Sequence, residues 1–443
     1  MRGLKSLLAK YRGDTIWALL DQASALLSST LSFLLLGRTL GAAGYGAYIG
    51  LYALIGPFLA PSLSGILLAA MEHVVRDRED PVVVARSSLG ITIASTLLWV
   101  PVLSAVALRW IDGLPPMVAV VFVSTEFLLS GLLSASIGMV QALIGFTAAV
   151  RLRIAGALAR VVLLIVLAAA GMLTLTTLAF GQVFTVGAVA AYGIAKVSRL
   201  IGVPARPGRI HLRHVRSVLL YGVGIAASNA QTDGDKFVLS ASHHQADTGR
   251  YGAAYRLLGV VQLPVNALAG ATHLSFLYTQ EGPNLQMRRA VRLALVATAY
   301  AVPAIICMVV LAPLVPKILT RDFGETTLIL QLLSPVVILR GTGVFPMNGL
   351  MGLGRNALRT KLQVGNALLS LALYAALIPK YSWRGALVAT LISEVTLCGS
   401  AWIALLLCER GLRPRASAER ETGEVASQAA NQQLAATAVR PGS

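Results

Sequence analysis

The sequence predicts an all-α polytopic membrane protein: twelve transmembrane helices in two six-helix lobes, with both termini cytoplasmic. Three observations predict it. The 443 residues are 56% hydrophobic and 13% charged, with a mean hydropathy of +0.73, where an average soluble domain carries about 25% charged residues. Apolar runs long enough to cross a hydrocarbon core, roughly 20 residues, recur along the chain. Lys and Arg are unevenly shared between the connections, and that bias sets orientation.

The basic start, MRGLKSLLAKYRGD, leads into an apolar run at 15–37 that carries Asp21 and is too long for a removable leader, so it reads as the first span. Spans at 45–69, 87–109, 115–138, 152–173 and 176–196 complete a first lobe, residues 1–200. A basic loop from Lys196 to Arg216 follows, in which Pro204, Pro207 and Gly208 stop helices; 201–214 reads as a cytoplasmic linker. Spans at 215–240, 250–277, 292–315, 326–348, 358–379 and 385–408 make a second lobe, 215–408. The tail, 409–443, is polar and aperiodic, and reads as disordered and cytoplasmic. With the N-terminus inside, the inner segments hold 24 Lys and Arg and the outer ones 7, as the positive-inside rule requires.

Six spans per half is an even number, so the halves enter the bilayer in the same sense and form parallel repeats about the membrane normal. A short internal match agrees: Gly44, Tyr45, Gly46 and Ala47 pair with Gly249, Tyr251, Gly252 and Ala253 across one inserted residue, and Pro57 with Pro264. Gly46 and Gly50 form a small-xxx-small pair suited to close helix packing.

A net charge of +18 would suggest nucleic acid in a soluble chain. Here the basic loops face anionic lipid headgroups, and membrane lipids rather than nucleic acid are the expected partners. No GxxxxGK[ST], HExxH or paired CxxC occurs, so no enzyme and no cofactor are expected. Outer loops of about ten residues leave little room for an acceptor site. Cys307, Cys398 and Cys408 read as small hydrophobes. His243 and His244 read as a solvated turn, while His73, His211, His214 and His273 are scattered and give no signal.

The informative residues are charges inside spans: Asp21, Glu126, Asp233, Asp235 and Glu394, with Arg160, Lys236, Arg256 and Arg340. Each costs roughly 3 kcal/mol to insert, so such groups face a bundle interior or a wet cavity. Asp235 and Arg256 both lie about 8–9 Å below the outer surface at 1.5 Å per residue, which predicts an ion pair across the hairpin; Asp233 and Lys236, three apart, share a helix face. These pairs either lock helices or serve a site. Arg160 and Arg340 have no close partner in sequence. They either snorkel inward or give a cavity cationic walls, where a guanidinium fork suits phosphate. Glu126, near mid-span, and Asp21 are candidates for ion coupling, since a buried carboxyl can carry a proton.

The stretch DGDKFVLSASHHQADTGRYGAAYRLLGVVQLPVN, 233–266, resembles the seventh-to-eighth-span signature of polysaccharide transporters and Wzx-type O-antigen flippases. Asp235-Lys236, Gly249, Tyr251, Ala254, Arg256 and Pro264 carry the likeness, and GRTLGAAGYGAYIG is similar to the family's first turn. His243-His244 departs from the small or polar residues usual there. The resemblance implies the multidrug/oligosaccharidyl-lipid/polysaccharide (MOP) exporter superfamily: a MATE-like, V-shaped pair of lobes that turns over a lipid-linked oligosaccharide by alternating access. It implies a polyprenyl-diphosphate substrate held by Arg256, Lys236, Arg160 and Arg340, a bacterial cytoplasmic membrane, and a polysaccharide polymerase and glycosyltransferases as partners. Twelve spans rather than fourteen speaks against the lipid II branch. A cation-coupled multidrug exporter and a non-transporting scaffold of a synthesis complex are the alternatives.

Overall fold

In a computed structural model the described residues, 2–278 and 283–438, are helical nearly throughout. The first helix, α1 (Arg2–Ala60), breaks at Gly41, whose φ of 67° is open to glycine at little cost. It runs on through a π-helical turn at Pro61–Gly65, α2 (Ile66–Met71) and a second π turn at Glu72–Arg76. Pro61 has no N–H to give the α ladder, which fits the widened turn beginning there. α3 (Pro81–Trp110) opens on Asp80, whose carboxylate accepts from Val82 N at 2.9 Å. α4 (Pro116–Ser124) passes through a π turn at Thr125–Leu129 into α5 (Ser130–Leu143). α6 (Phe146–Ala169) and α7 (Leu175–Ile201) follow, the latter started by a Thr174–Thr177 capping box.

α8 (Leu212–Ala241) and α9 (Gln245–Tyr278) are joined by three residues, with His243 at φ 63°. Then come α10 (Pro283–Leu311), α11 (Val315–Ile318), α12 (Thr326–Leu333), α13 (Pro335–Gly352) and α14 (Asn356–Ala438), which breaks at Ser382. Composition alone reads the tail as disordered, yet its backbone stays helical to Ala438; Ala, Glu, Gln and Arg are good helix formers whatever their lack of an apolar face. The last residues, 439–443, lie outside the described ones.

Among the described residues, 7 helices are long and apolar enough to cross a membrane, or 8 if the bent pair Arg321–Leu333 and Pro335–Gly352 is one span. The chain is a multi-pass membrane protein. Two of the seven, Leu20–Arg76 and Asn356–Glu409, have 57 and 54 residues. Straight, each would be about 80 Å long, more than twice a bilayer core of about 30 Å. α8 and α9, which hold Asp233, Asp235, Lys236 and Arg256, are not among the seven.

The chain forms two compact units, one of Met1–Val260, Cys307–Ser334 and Ala367–Leu391, the other of Val261–Ile306, Pro335–Asn366 and Ile392–Ser443. This division cuts across the halves of the sequence. The first unit packs Leu51, Ile55, Leu103, Phe122 and Phe127 against Tyr48 and Tyr52. The second packs Phe276, Phe345, Leu350 and Leu405.

Within the first unit, the start of α9 lies on α1 backbone to backbone. A side chain at Gly46 would run into the Gln245 carbonyl, one at Gly249 into the Ala42 carbonyl, and one at Gly50 into Ser240 Oγ. The contacts are reciprocal and relate Ala42 to Gln245 and Gly46 to Gly249 without a gap, which also brings Tyr48 into register with Tyr251 and Tyr52 with Tyr255. This ungapped register of contacts differs from the gapped match of the two sequences: helix crossing, not glycine identity, sets it.

Candidate functional site

Every intramembrane charge predicted to bear function except Arg256 is drawn into a carboxylate pair. Glu126 sits in the Thr125–Leu129 π turn and is 2% exposed. Tyr52 donates to its Oε1 at 2.9 Å and Ser130 to its Oε2 at 3.0 Å. Arg160, on α6, donates through Nη2 to both oxygens, at 3.2 and 3.3 Å, and to Ser130 Oγ at 2.9 Å. A π turn inserts an extra residue and rotates the helix beyond it, so it can aim a side chain that a regular ladder would turn away. Tyr48, Tyr52 and Phe122 stack edge to face beside this cluster, with centroids 4.9–5.9 Å apart. Arg160 has no close partner in sequence, and the one it has in space is 34 residues away, on a different helix.

Arg340 is likewise paired, its Nε donating to Glu394 Oε1 at 2.7 Å within the second unit. Asp21, the other candidate for ion coupling, lies 3.4 Å from Arg153 Nε. Lys236 Nζ lies 3.0 Å from Asp233 and 3.1 Å from Asp235, and 4.0 Å from the Tyr255 ring centroid. Asp235 is fully buried, and its Oδ1 also accepts from Lys236 N at 2.8 Å.

The expected Asp235–Arg256 pair does not form. α9 begins at Gln245, five residues before the predicted span, which places Arg256 eleven residues, about 16 Å, along it. Asp235 is six residues, about 9 Å, from the end of α8. The two therefore sit at different levels. Arg256 is exposed, lies beside the Tyr45 hydroxyl, and is the one of the four predicted cations without a carboxylate partner among the described residues.

A further network, absent from the sequence reading, fixes the α8–α9 turn. Arg250 donates to Asp247 Oδ1 at 3.0 Å, Glu325 Oε2 at 2.8 Å and the Asp322 carbonyl at 2.8 Å, and Ser382 donates to Asp247 Oδ2. His243 Nδ1 is 2.6 Å from Asp112 Oδ2. Tyr251 is fully buried with its hydroxyl 3.0 Å from Thr390 Oγ1. Signals for part of the Glu126 cluster were in the sequence: Ser130 is four residues after Glu126 and Tyr52 four after Tyr48, one helical turn in each case. The ties to residues 322–390 had none.

Set against known proteins, the profile of a family described as "polysaccharide biosynthesis protein" matches residues 12–273. No curated protein matches the chain. Among solved structures, it is similar to an inward-facing multidrug resistance MATE family transporter of the MOP superfamily, with a TM-score of 0.72 at 13% identity, over 88% of this chain and 96% of that one. The lipid II flippase MurJ in an inward closed conformation gives 0.61 at 12% identity, over 87% of each chain. A MOP superfamily transporter from Pyrococcus furiosus gives 0.56 at 13% identity, over 90% and 94%. At these identities the likeness is one of fold.

Proposed function

The chain belongs to the polysaccharide biosynthesis protein family, and from that premise we propose that it is a flippase. It carries a polyprenyl-diphosphate-linked oligosaccharide across a bacterial cytoplasmic membrane by alternating access of two six-helix lobes, for surface polysaccharide assembly. Twelve spans follow if Leu20–Arg76 and Asn356–Glu409 are each counted twice at their breaks, the bent pair once, and α8 and α9 are added to the rest. The basic connections then place both termini inside.

The observation that carries the reading is Arg256. A cation in a membrane helix with no carboxylate partner among the described residues keeps a guanidinium fork available for an anionic group. The diphosphate is that group; Lys236, Arg160 and Arg340 are each matched by one or two carboxylates and so add no net positive charge. A polymerase and glycosyltransferases are the partners this reading expects. The test is reconstitution in liposomes with a defined lipid-linked sugar. Arg256→Ala is expected to abolish translocation and Arg256→Lys to retain part of it; wild-type rates from Arg256→Ala protein present in the membrane in normal amount would sink the proposal.

A second reading, a cation-coupled multidrug exporter, is favoured by the aromatic-walled carboxylate Glu126. Drug sensitivity of a deletion strain with its surface polymer intact would select it.

A further inference from the structure

Three side chains that the sequence scatters over 141 positions meet at one end of the first unit. His73 lies in the first part of the π turn after α2, Glu79 in the loop before α3, and His214 at the start of α8. His73 Nδ1 is 2.7 Å from Glu79 Oε1, and His214 Nε2 is 3.0 Å from Glu79 Oε2. One ligand atom from each of the three lies within 4.8 Å of the other two. The imidazoles are 3% exposed each, with ring centroids 4.3 Å apart. A fourth donor, Asp77 Oδ2, is 3.0 Å from His73 Nδ1 and partly open to solvent.

We propose that His73, Glu79 and His214 form a binding site for a divalent transition-metal ion of the zinc class, with Asp77 or water completing it. Two imidazoles and a carboxylate are a donor set that suits zinc and its neighbours. Ligand atoms on a tetrahedral zinc at 2.0–2.1 Å stand about 3.3 Å apart, so side-chain shifts of an ångström or so convert the present spacing into a coordination shell. The two oxygens of Glu79 each face one imidazole nitrogen, so its carboxylate lies between the two rings. Among the described residues, His73 Nε2 and His214 Nδ1 are buried without hydrogen-bond partners. Arg213 competes with the metal for Glu79, but it is largely exposed and can swing away.

Such an ion would clasp a loop from the first half of the sequence to the start of α8 in the second. Under the flippase reading it holds this end shut; the binding test does not depend on that reading. Full-length protein, purified in detergent and stripped with chelator, is titrated with Zn²⁺ and with Co²⁺. One equivalent should bind, raise the melting temperature, and give the visible absorption of tetrahedral Co²⁺. His73→Gln, His214→Gln and Glu79→Gln should each lose binding, while Asp112→Asn, at the His243 pair, keeps it. X-ray absorption of the wild-type zinc form needs no variant and should show imidazole scattering from two rings. Absence of stoichiometric binding, variants that bind like wild type, or a zinc shell without imidazole would each overturn the proposal.

Discussion

Gly46 and Gly249 occupy each other's side-chain space: each lies where a methyl group on the other helix's glycine would strike backbone. Backbone cannot swing aside as a side chain can, so the helices must separate to admit a Cβ. Gly249→Ala and Gly46→Ala should each destabilise by about 1–3 kcal/mol, the usual cost of overpacking. Gly259→Ala, with nothing within 4 Å of the added atom, is the control and should be stabilising by up to about 1 kcal/mol, from helix propensity alone. Thermal unfolding in detergent checks this; equal melting temperatures for all three variants would refute the crossing.

Arg250 ties three acceptors through two nitrogens of one guanidinium: Nη1 donates to Asp247 and Glu325, and Nε to the Asp322 carbonyl. Lysine has a single nitrogen and cannot reproduce the fork. Arg250→Lys should therefore behave nearly like Arg250→Ala. Both should speed amide exchange across residues 242–252 by about tenfold, as expected for a loss near 1.4 kcal/mol of local stability. Rescue of exchange protection by lysine would show that charge alone holds the turn.

The Glu126–Arg160 pair invites a double-mutant cycle. Glu126→Ala leaves a guanidinium with only Ser130 as a hydrogen-bond acceptor among the described residues. Arg160→Ala leaves a nearly fully buried carboxylate held by two hydroxyls. The double variant should be more stable than the sum of the singles predicts, by about 1–2 kcal/mol, within the range for contacting charges. The lower half of that range is expected because Arg160 is a third exposed. Additive losses would mean that the two do not interact.

How much of this the sequence could show depends on distance along the chain. Intramembrane charges stand out one by one, because charge in an apolar run is costly wherever it sits. Asp233 and Lys236 share a face by spacing alone. The Asp235–Arg256 expectation failed on a helix start misplaced by five residues, since polarity in Gln245–Gly249 marks the span edge but not the helix edge. Glu126 and Arg160, or Glu79 and His214, are joined by helix packing, which no local periodicity encodes. The π turn at Thr125–Leu129 likewise leaves no mark in the order of residues.

Asp21 and Glu126 are equal candidates for ion coupling by sequence, and their surroundings separate them. Asp21 faces Arg153 at 3.4 Å with a fifth of its side chain exposed, so its pair is less enclosed. Glu126 is enclosed, with donors from Tyr52, Ser130 and Arg160 that would rearrange on any change of its charge. Under the flippase reading, Glu126→Gln should abolish transport driven by an imposed proton or sodium gradient, while leaving gradient-independent exchange of lipid-linked sugar within about threefold of wild type. Asp21→Asn should alter neither by more than about threefold, the scale of a 0.6 kcal/mol effect. Liposomes with and without the gradient read both quantities in one preparation. Gradient-driven transport that survives Glu126→Gln but fails in Asp21→Asn would move the coupling role to α1.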